Sequence, residues 1–279
     1  MTAGGLPPGE LSTPCAAPEG RAHHPGVYPE PYARLARDCG VEARRHHYGP
    51  GPDRWADLRL PPGPGPHPVA VLVHGGFWRM PWGADLMHAL AGDLHRRGWA
   101  TWNVEYRRLG APGGGWPGTL EDCAAAAAAL GAVDGVDHRR VVAVGHSAGG
   151  HLALWLAAQA GIGAVVALAA VSDLPAAARL GLGGGAAVEL LGGTPEEVPE
   201  RYRQASPRQR VPLGVPQLLV HGELDDRVPV AMSREYAEAA RAAGDAVRLV
   251  VAPGAGHHEV VDPESRVWQA AAAWLGTAR

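Results

Sequence analysis

Residues 141–151 read Val-Val-Ala-Val-Gly-His-Ser-Ala-Gly-Gly-His, an apolar, β-branched run that breaks at a glycine-flanked serine. The run predicts a buried strand, and the residues after it, His151 to Ala158, predict a helix. Ser147 therefore stands at a strand-to-helix turn. A serine hydroxyl is a poor nucleophile until it is pushed out of the chain and given a base. A sharp turn does the pushing, through a strained backbone at Ser147 for which Gly145 and Gly149 leave room. The helix that follows aims its free N–H groups at any negative charge developing beside the serine oxygen. In a chain with 39 glycines the pentapeptide alone also reads as a plain glycine-rich connection. The catalytic reading needs three more features: an oxyanion loop upstream, then a carboxylate and a histidine downstream, each just past a strand end.

The pattern around the serine supplies the scaffold. From Val69 onward, apolar strand-like segments (69–74, 99–105, 141–145, 164–171, 216–221 and 247–252) alternate with helix-like ones (84–97, 119–131, 148–160, 230–243 and 263–277). Continuous apolar strands such as Val69-Ala70-Val71-Leu72-Val73 imply an α/β protein, a parallel sheet buried on both faces by helices. Two more strands are expected at 41–48 and 54–60, and a short helix from Pro31 to Asp38. Thr119 with Asp122 reads as a capping box, and Asp262-Pro263 as an N-cap followed by proline. The alanine run 124–129 is a strong helix former. The rhythm breaks over 172–216, where glycines cluster at 181 and 183–185 and a short helix is expected near 186–191. We read this connection as a lid-like insertion. The chain is expected to comprise a flexible leader over 1–26, rich in turn formers, and a single domain over 27–279.

Composition narrows the function. The 279 residues are 46% hydrophobic and 19% charged, as in a globular protein with a sizeable core. A formal net charge of −3 gives no reason to expect nucleic acid or a membrane surface as partner. Three cysteines at 15, 39 and 123 match no zinc spacing and suit a reducing compartment. No signal peptide or membrane-length run is read from the sequence, so a cytoplasmic location is expected.

The three missing features are present. His74-Gly75-Gly76-Phe77-Trp78 follows the strand 69–73, and its glycines let backbone N–H groups approach an oxyanion closely. Gly75 and Gly76 would line that hole together with Ala148, whose N–H follows the nucleophile. His221-Gly-Glu-Leu-Asp-Asp-Arg-Val-Pro229 follows an apolar strand. Of its acids Asp225 is preferred over Asp226, with Glu223 third. Gly254-Ala-Gly-His-His258 follows the last strand and offers His257 as the base, with His258 as its alternative. Adjacent histidine pairs elsewhere lack metal-ligand spacing, so no metal site is expected. The chain order Ser147, Asp225, His257 is that of the α/β-hydrolase arrangement.

On these residues, and on Asn103-Val104-Glu105-Tyr106-Arg107, the chain resembles the α/β-hydrolase superfamily over about 41–279. Within it the chain is similar to the His-Gly-Gly-x-Trp branch, the small carboxylesterases and kynurenine formamidases. The resemblance implies an eight-stranded, mostly parallel sheet with the triad at its C-terminal edge, and cofactor-free hydrolysis of a small-molecule ester or amide through an acyl-enzyme. Ser147 would be the nucleophile, His257 the general base and acid, and Asp225 its orienting group. Phe77 and Trp78 would wall the substrate pocket, although Trp78 reads equally as a core residue. His74 would brace the loop through its ring hydrogen bonds. The short connection before the seventh strand argues against a large lipase cap. Carboxylic ester hydrolysis is the leading expectation and N-formylkynurenine hydrolysis the alternative. A peptidase or a non-catalytic binding scaffold ranks below them.

Overall fold

The computed structural model describes residues 28–159 and 161–277; the leader expected over 1–26 lies outside them. Eight strands form one sheet: β1 (Arg44–His47), β2 (Trp55–Arg59), β3 (His67–Val73), β4 (Ala100–Val104), β5 (Val136–His146), β6 (Ala164–Leu168), β7 (Gln217–Gly222) and β8 (Val247–Ala252). Their order is β1-β2-β4-β3-β5-β6-β7-β8. Only the β1–β2 and β2–β4 pairings are antiparallel; from β4 to β8 every neighbour is parallel. This is the α/β-hydrolase architecture the sequence predicts.

The helices are α1 (Tyr32–Leu35), α2 (His88–Arg96), α3 (Gly118–Ala129), α4 (Ala148–Ala157), α5 (Leu174–Arg179), α6 (Leu182–Leu191), α7 (Pro199–Ala205), α8 (Val230–Ala242) and α9 (Arg266–Leu275). The central strands are apolar without alternation because both sheet faces are covered. Val69, Val71 and Val73 join one core layer with Leu152 of α4 and Tyr236 of α8. Ala70 and Leu72 join the other with Leu90 and Leu94 of α2 and Trp268 of α9. Helix α9 buries Trp268, Ala271, Ala272 and Leu275, an i, i+3, i+4, i+7 stripe that matches its sequence periodicity.

Several local expectations are corrected. Thr119 and Asp122 do not cap α3, which begins at Gly118. The Thr119 hydroxyl donates to the Arg107 carbonyl, and the buried Asp122 carboxylate takes the guanidinium groups of Arg107 and Arg54. Helix α9 is capped by Ser265, which accepts from the Trp268 N–H at 3.1 Å, while Asp262 is engaged by Arg34. The strand expected over 164–171 stops at Leu168, because Ala169 turns into the left-handed region at φ 46°. Beyond that turn the Val171 N–H reaches the Ser147 carbonyl. The segment 172–216 folds as three short helices, α5 to α7, where one near 186–191 is expected. Among the described residues no helix is long and apolar enough to cross a membrane.

Candidate active site

Ser147 sits between the last residue of β5 and the first of α4, at φ 57° and ψ −119°. Such a backbone is strained for any residue with a Cβ and persists only where its surroundings enforce it. The enforcement is visible in the flanking glycines. A Cβ on Gly145 would lie 2.1 Å from the Gly149 carbonyl oxygen, and one on Gly149 would lie 2.1 Å from that of Val73. Strand, turn and helix thus cross at backbone contact, and the serine is lifted out of the sheet edge.

The loop after β3 lies alongside. Gly76 adopts φ 99°, and a side chain there would strike Trp82 at 2.2 Å. Phe77 and Trp78 follow at φ 50° and 57°, two consecutive left-handed residues that carry side chains. They part company at this point. The Phe77 side chain faces the cavity beside Ser147. Trp78 turns inward and is 1% exposed, its indole N–H donating to Nδ1 of His151 at 3.2 Å. His151 in turn donates from Nε2 to the Ala205 carbonyl, and burial pushes its imidazole down to about 4, so it stays neutral. Of the two readings of Trp78, the structure supports the core residue and not the pocket wall.

Asp225 and His257 reach the site from the loops after β7 and β8. His257 Nδ1 donates to Asp225 Oδ2 at 2.7 Å, and both side chains are almost fully buried. The other carboxylate oxygen accepts the backbone N–H groups of Arg227 and Val228, each at 2.8 Å. His221 closes on Oδ2 at 3.2 Å. Burial alone would raise the Asp225 carboxyl, but the hydrogen bonds from His221 and His257 outweigh it and hold the group well below the usual carboxylate range. With Nδ1 committed to Asp225, His257 keeps Nε2 for the cavity, which it lines together with Ser147. Asp226 is exposed and, among the described residues, pairs with Arg227 at 3.5 Å. His258 packs edge-on against Tyr32. Neither alternative occupies the place of the preferred residue.

The cavity has a volume of about 200 Å³. Sequence reasoning missed much of its wall. Pro29, Tyr32 and Leu35 roof it, and Trp82 and Leu86 close one side. The roof is pinned from outside the local sequence. Tyr28 stacks on Trp82, with centroids 5.2 Å apart, and its hydroxyl donates to Asp85 at 2.9 Å. The Tyr32 ring meets Trp82 at 4.7 Å. None of the residues lining the cavity comes from the insertion over 172–216, which meets its wall from outside at Gly183, where a Cβ would lie 2.6 Å from the Phe77 ring. His146 was passed over too. Its Nε2 donates to the His257 carbonyl at 3.0 Å and so anchors the backbone that carries the base. Burial and the neighbouring imidazoles of His257 and His258 push His146 well below its ordinary value, and burial pushes His258 down to about 4. Among the described residues no cluster of His, Cys, Asp and Glu could hold a metal ion.

These shifts predict the acid side of a pH profile. Asp225 stays ionised and His146 neutral as pH falls, and His258 takes up charge only near pH 4. The base that takes the serine proton must be unprotonated to do so, and none of these three neighbours changes charge above about pH 5. The logarithm of kcat/KM should therefore rise with unit slope on its acid limb above about pH 5. A slope of two there would show a second group in control.

The profile described as the prolyl oligopeptidase family matches residues 113–276, more than half of the chain. Esterase LipC of Mycobacterium tuberculosis (strain ATCC 25618 / H37Rv) is 32% identical over 255 residues, covering 78% of this chain. The chain spans 60% of the length of that curated relative. Among solved structures, a bacterial heroin esterase superposes with a TM-score of 0.71 at 26% identity, covering 88% of this chain and 86% of that one. A truncated carbohydrate esterase from gut microbiota superposes at 0.74 with 18% identity, covering 87% and 98%. The serine elbow, the carboxylate and the histidine all lie inside the span that the family profile matches. The chain belongs to the prolyl oligopeptidase family, within the α/β-hydrolase superfamily.

Proposed function

We propose that the protein is a serine hydrolase that cleaves small carboxylic esters through an acyl-enzyme intermediate. Ser147 Oγ attacks the ester carbonyl while His257 Nε2 takes its proton. The oxyanion is received by backbone N–H groups of the Gly75–Gly76 loop and of Ala148. His257 then protonates the departing alcohol. A water molecule, deprotonated by the same imidazole, attacks the acyl-enzyme and frees the acid. Asp225 holds the imidazole in the required tautomer and balances its charge at each protonation. The observation that carries this reading is the convergence of Ser147, His257 and Gly76 on one small cavity, with His257 bound to a buried, ionised Asp225.

Size favours a small ester. About 200 Å³ is below the ~300–1,000 Å³ of sites that take drug-sized ligands. An extended peptide would have to displace the roof at Pro29, Tyr32 and Leu35. The formamidase alternative drew on the His-Gly-Gly-x-Trp loop, and the Trp78 of that loop is buried against His151 instead of walling the cavity. The esterases among the relatives point the same way.

An acyl-chain series of p-nitrophenyl esters tests the reading. The kcat/KM should be highest for acetate to butyrate and fall for octanoate. Tyr32→Ala, which opens the roof, should raise the octanoate-to-acetate ratio by about tenfold or more, the scale on which apolar pockets discriminate chain length. Faster turnover of peptide anilides or N-formylkynurenine than of every ester would overturn the assignment.

A further inference from the structure

Beneath the loop that receives the oxyanion lies a carboxylate that the reaction above does not use. Glu105 follows β4 and is 5% exposed. Its Oε1 faces His74 Nε2 at 2.9 Å and accepts the Tyr106 N–H at 3.0 Å. Its Oε2 accepts the Ala84 N–H at 3.1 Å and faces Arg108 at 3.3 Å. Burial alone would raise its proton affinity, but His74, Arg108 and the Ala84 N–H outweigh that and keep the group ionised. A buried carboxylate satisfied on both oxygens is costly to assemble and tolerates little displacement.

What Glu105 holds is His74, which is completely buried. The Nδ1 of this ring lies 2.8 Å from the Gly75 carbonyl oxygen. A carbonyl only accepts, so Nδ1 carries a hydrogen. Nε2 faces an ionised carboxylate, so it donates as well. The ring is further clamped by Tyr106, which stacks on it at 4.3 Å and donates from its hydroxyl to the His74 carbonyl at 2.9 Å. His74 is thus a rigid rod between Glu105 and one peptide group.

That peptide joins Gly75 to Gly76, and it is trans, since the cis bonds among the described residues all precede proline. In a trans peptide the C=O and the N–H point in opposite directions. Drawing the Gly75 oxygen toward His74 therefore turns the Gly76 N–H the other way. Gly76 itself lines the cavity beside Ser147. The loop is also tight against the serine: a Cβ on Gly75 would sit 3.1 Å from that of Ser147.

We propose that Glu105, acting through His74, is a positioning residue that sets the Gly75–Gly76 peptide plane, so that the Gly76 N–H meets the oxyanion formed at Ser147. This rests on the serine-hydrolase reading above. A donor placed before the reaction costs no reorganisation when charge develops, whereas a free glycine peptide would have to rotate into place. Glu105 touches neither substrate nor reacting atom; its effect is transmitted through one imidazole.

The test is a double-mutant cycle with Glu105→Gln and His74→Asn, read on p-nitrophenyl acetate and on a boronic acid that forms a tetrahedral adduct with the serine. Each single variant should lose about 10²-fold in kcat, the scale of a misplaced catalytic group, with KM within about threefold of wild type. Boronate affinity should fall in parallel, while affinity for the free carboxylate product holds. The double variant should be no worse than the poorer single variant, because the two residues form one lever. Calorimetry checks folding. If Glu105→Gln does not fold, His74→Asn carries the test, since it leaves the other partners of Glu105 intact. Full kcat in folded variants, or kcat losses that multiply, would overturn the inference and leave the hydrolase reading standing. Absence of ester turnover by the wild-type protein would overturn both.

Discussion

Ser147→Ala should lower kcat on a short-chain ester by about 10⁶-fold, the loss measured when a triad serine is removed from a serine hydrolase. The size follows from what the change deletes. Without Oγ no acyl-enzyme forms, and His257 is left with only bulk water to activate. The residual rate over solution comes from binding and from the oxyanion donors. The fold should not suffer. Ser147 Oγ makes no hydrogen bond among the described residues and faces the cavity, so its loss leaves no buried partner unsatisfied. The turn itself is imposed by Gly145, Gly149 and the backbone bond from Ser147 N–H to the Leu168 carbonyl at 2.8 Å, all of which persist. The melting temperature should thus match wild type, and stoichiometric labelling by a fluorophosphonate should disappear. Retention of more than about 1% of wild-type kcat, with clean mass spectra, would place the nucleophile elsewhere.

The elements that sequence reading located share one property: their signal is local. The central strands are legible because burial on both faces makes Val69–Val73 and Val141–Val144 apolar at every position. The serine turn is legible because backbone crossing at 2.1 Å excludes any side chain at 145 and 149. Asp225 was separable from Asp226 by its distance from the end of β7. What escaped is written in contacts far apart along the chain. Tyr28 to Leu35 carries no mark of roofing a cavity, since its fixing points, Trp82 and Asp85, lie more than fifty residues on. Thr119 and Asp122 spell a capping box, yet two arginines claim the carboxylate and a carbonyl claims the hydroxyl. Helices α5 and α7 span only 6 and 7 residues, less than two helical turns, too short for a 3.6-residue period to declare itself. Trp78 had two readings of equal weight because consecutive left-handed residues cannot be told from a pentapeptide, and it is that backbone which separates it from Phe77. Glu105 was quoted as part of a motif without a role, for the same reason: two of its four partners, His74 and Ala84, come from other segments of the chain, and only Tyr106 and Arg108 are its own neighbours.

Asp225→Asn should lower kcat by about 10⁴-fold while leaving the fold and the geometry of the site in place, as a triad aspartate does when its charge alone is removed. The direction is set by the hydrogen bonds around the carboxylate. Oδ1 accepts two backbone N–H groups, from Arg227 and Val228. Those donors require an acceptor, so the asparagine carbonyl oxygen must take that position and its NH₂ group must take the position of Oδ2. That NH₂ then faces His257 Nδ1 at about the present 2.7 Å. Two donors cannot share the contact, so the imidazole moves its proton to Nε2, the nitrogen that should receive the serine proton. His221, which also approaches Oδ2, reinforces the conflict if its Nε2 bears hydrogen, as its 2.8 Å contact to the Val228 carbonyl indicates. The loss should appear in kcat more than in KM, because the substrate contacts are untouched. A second consequence concerns stability. The Asp225 carboxyl is held below its unfolded value, so its charge stabilises the fold above the ordinary carboxylate pKa, and that contribution fades as pH falls toward the depressed native value. The stability gap between wild type and Asp225→Asn should therefore be full at neutral pH and close in acid, as read by denaturant unfolding at a series of pH values. An Asp225→Asn protein with ordinary kcat, beside an inactive Asp226→Asn protein, would transfer the role to the neighbouring carboxylate.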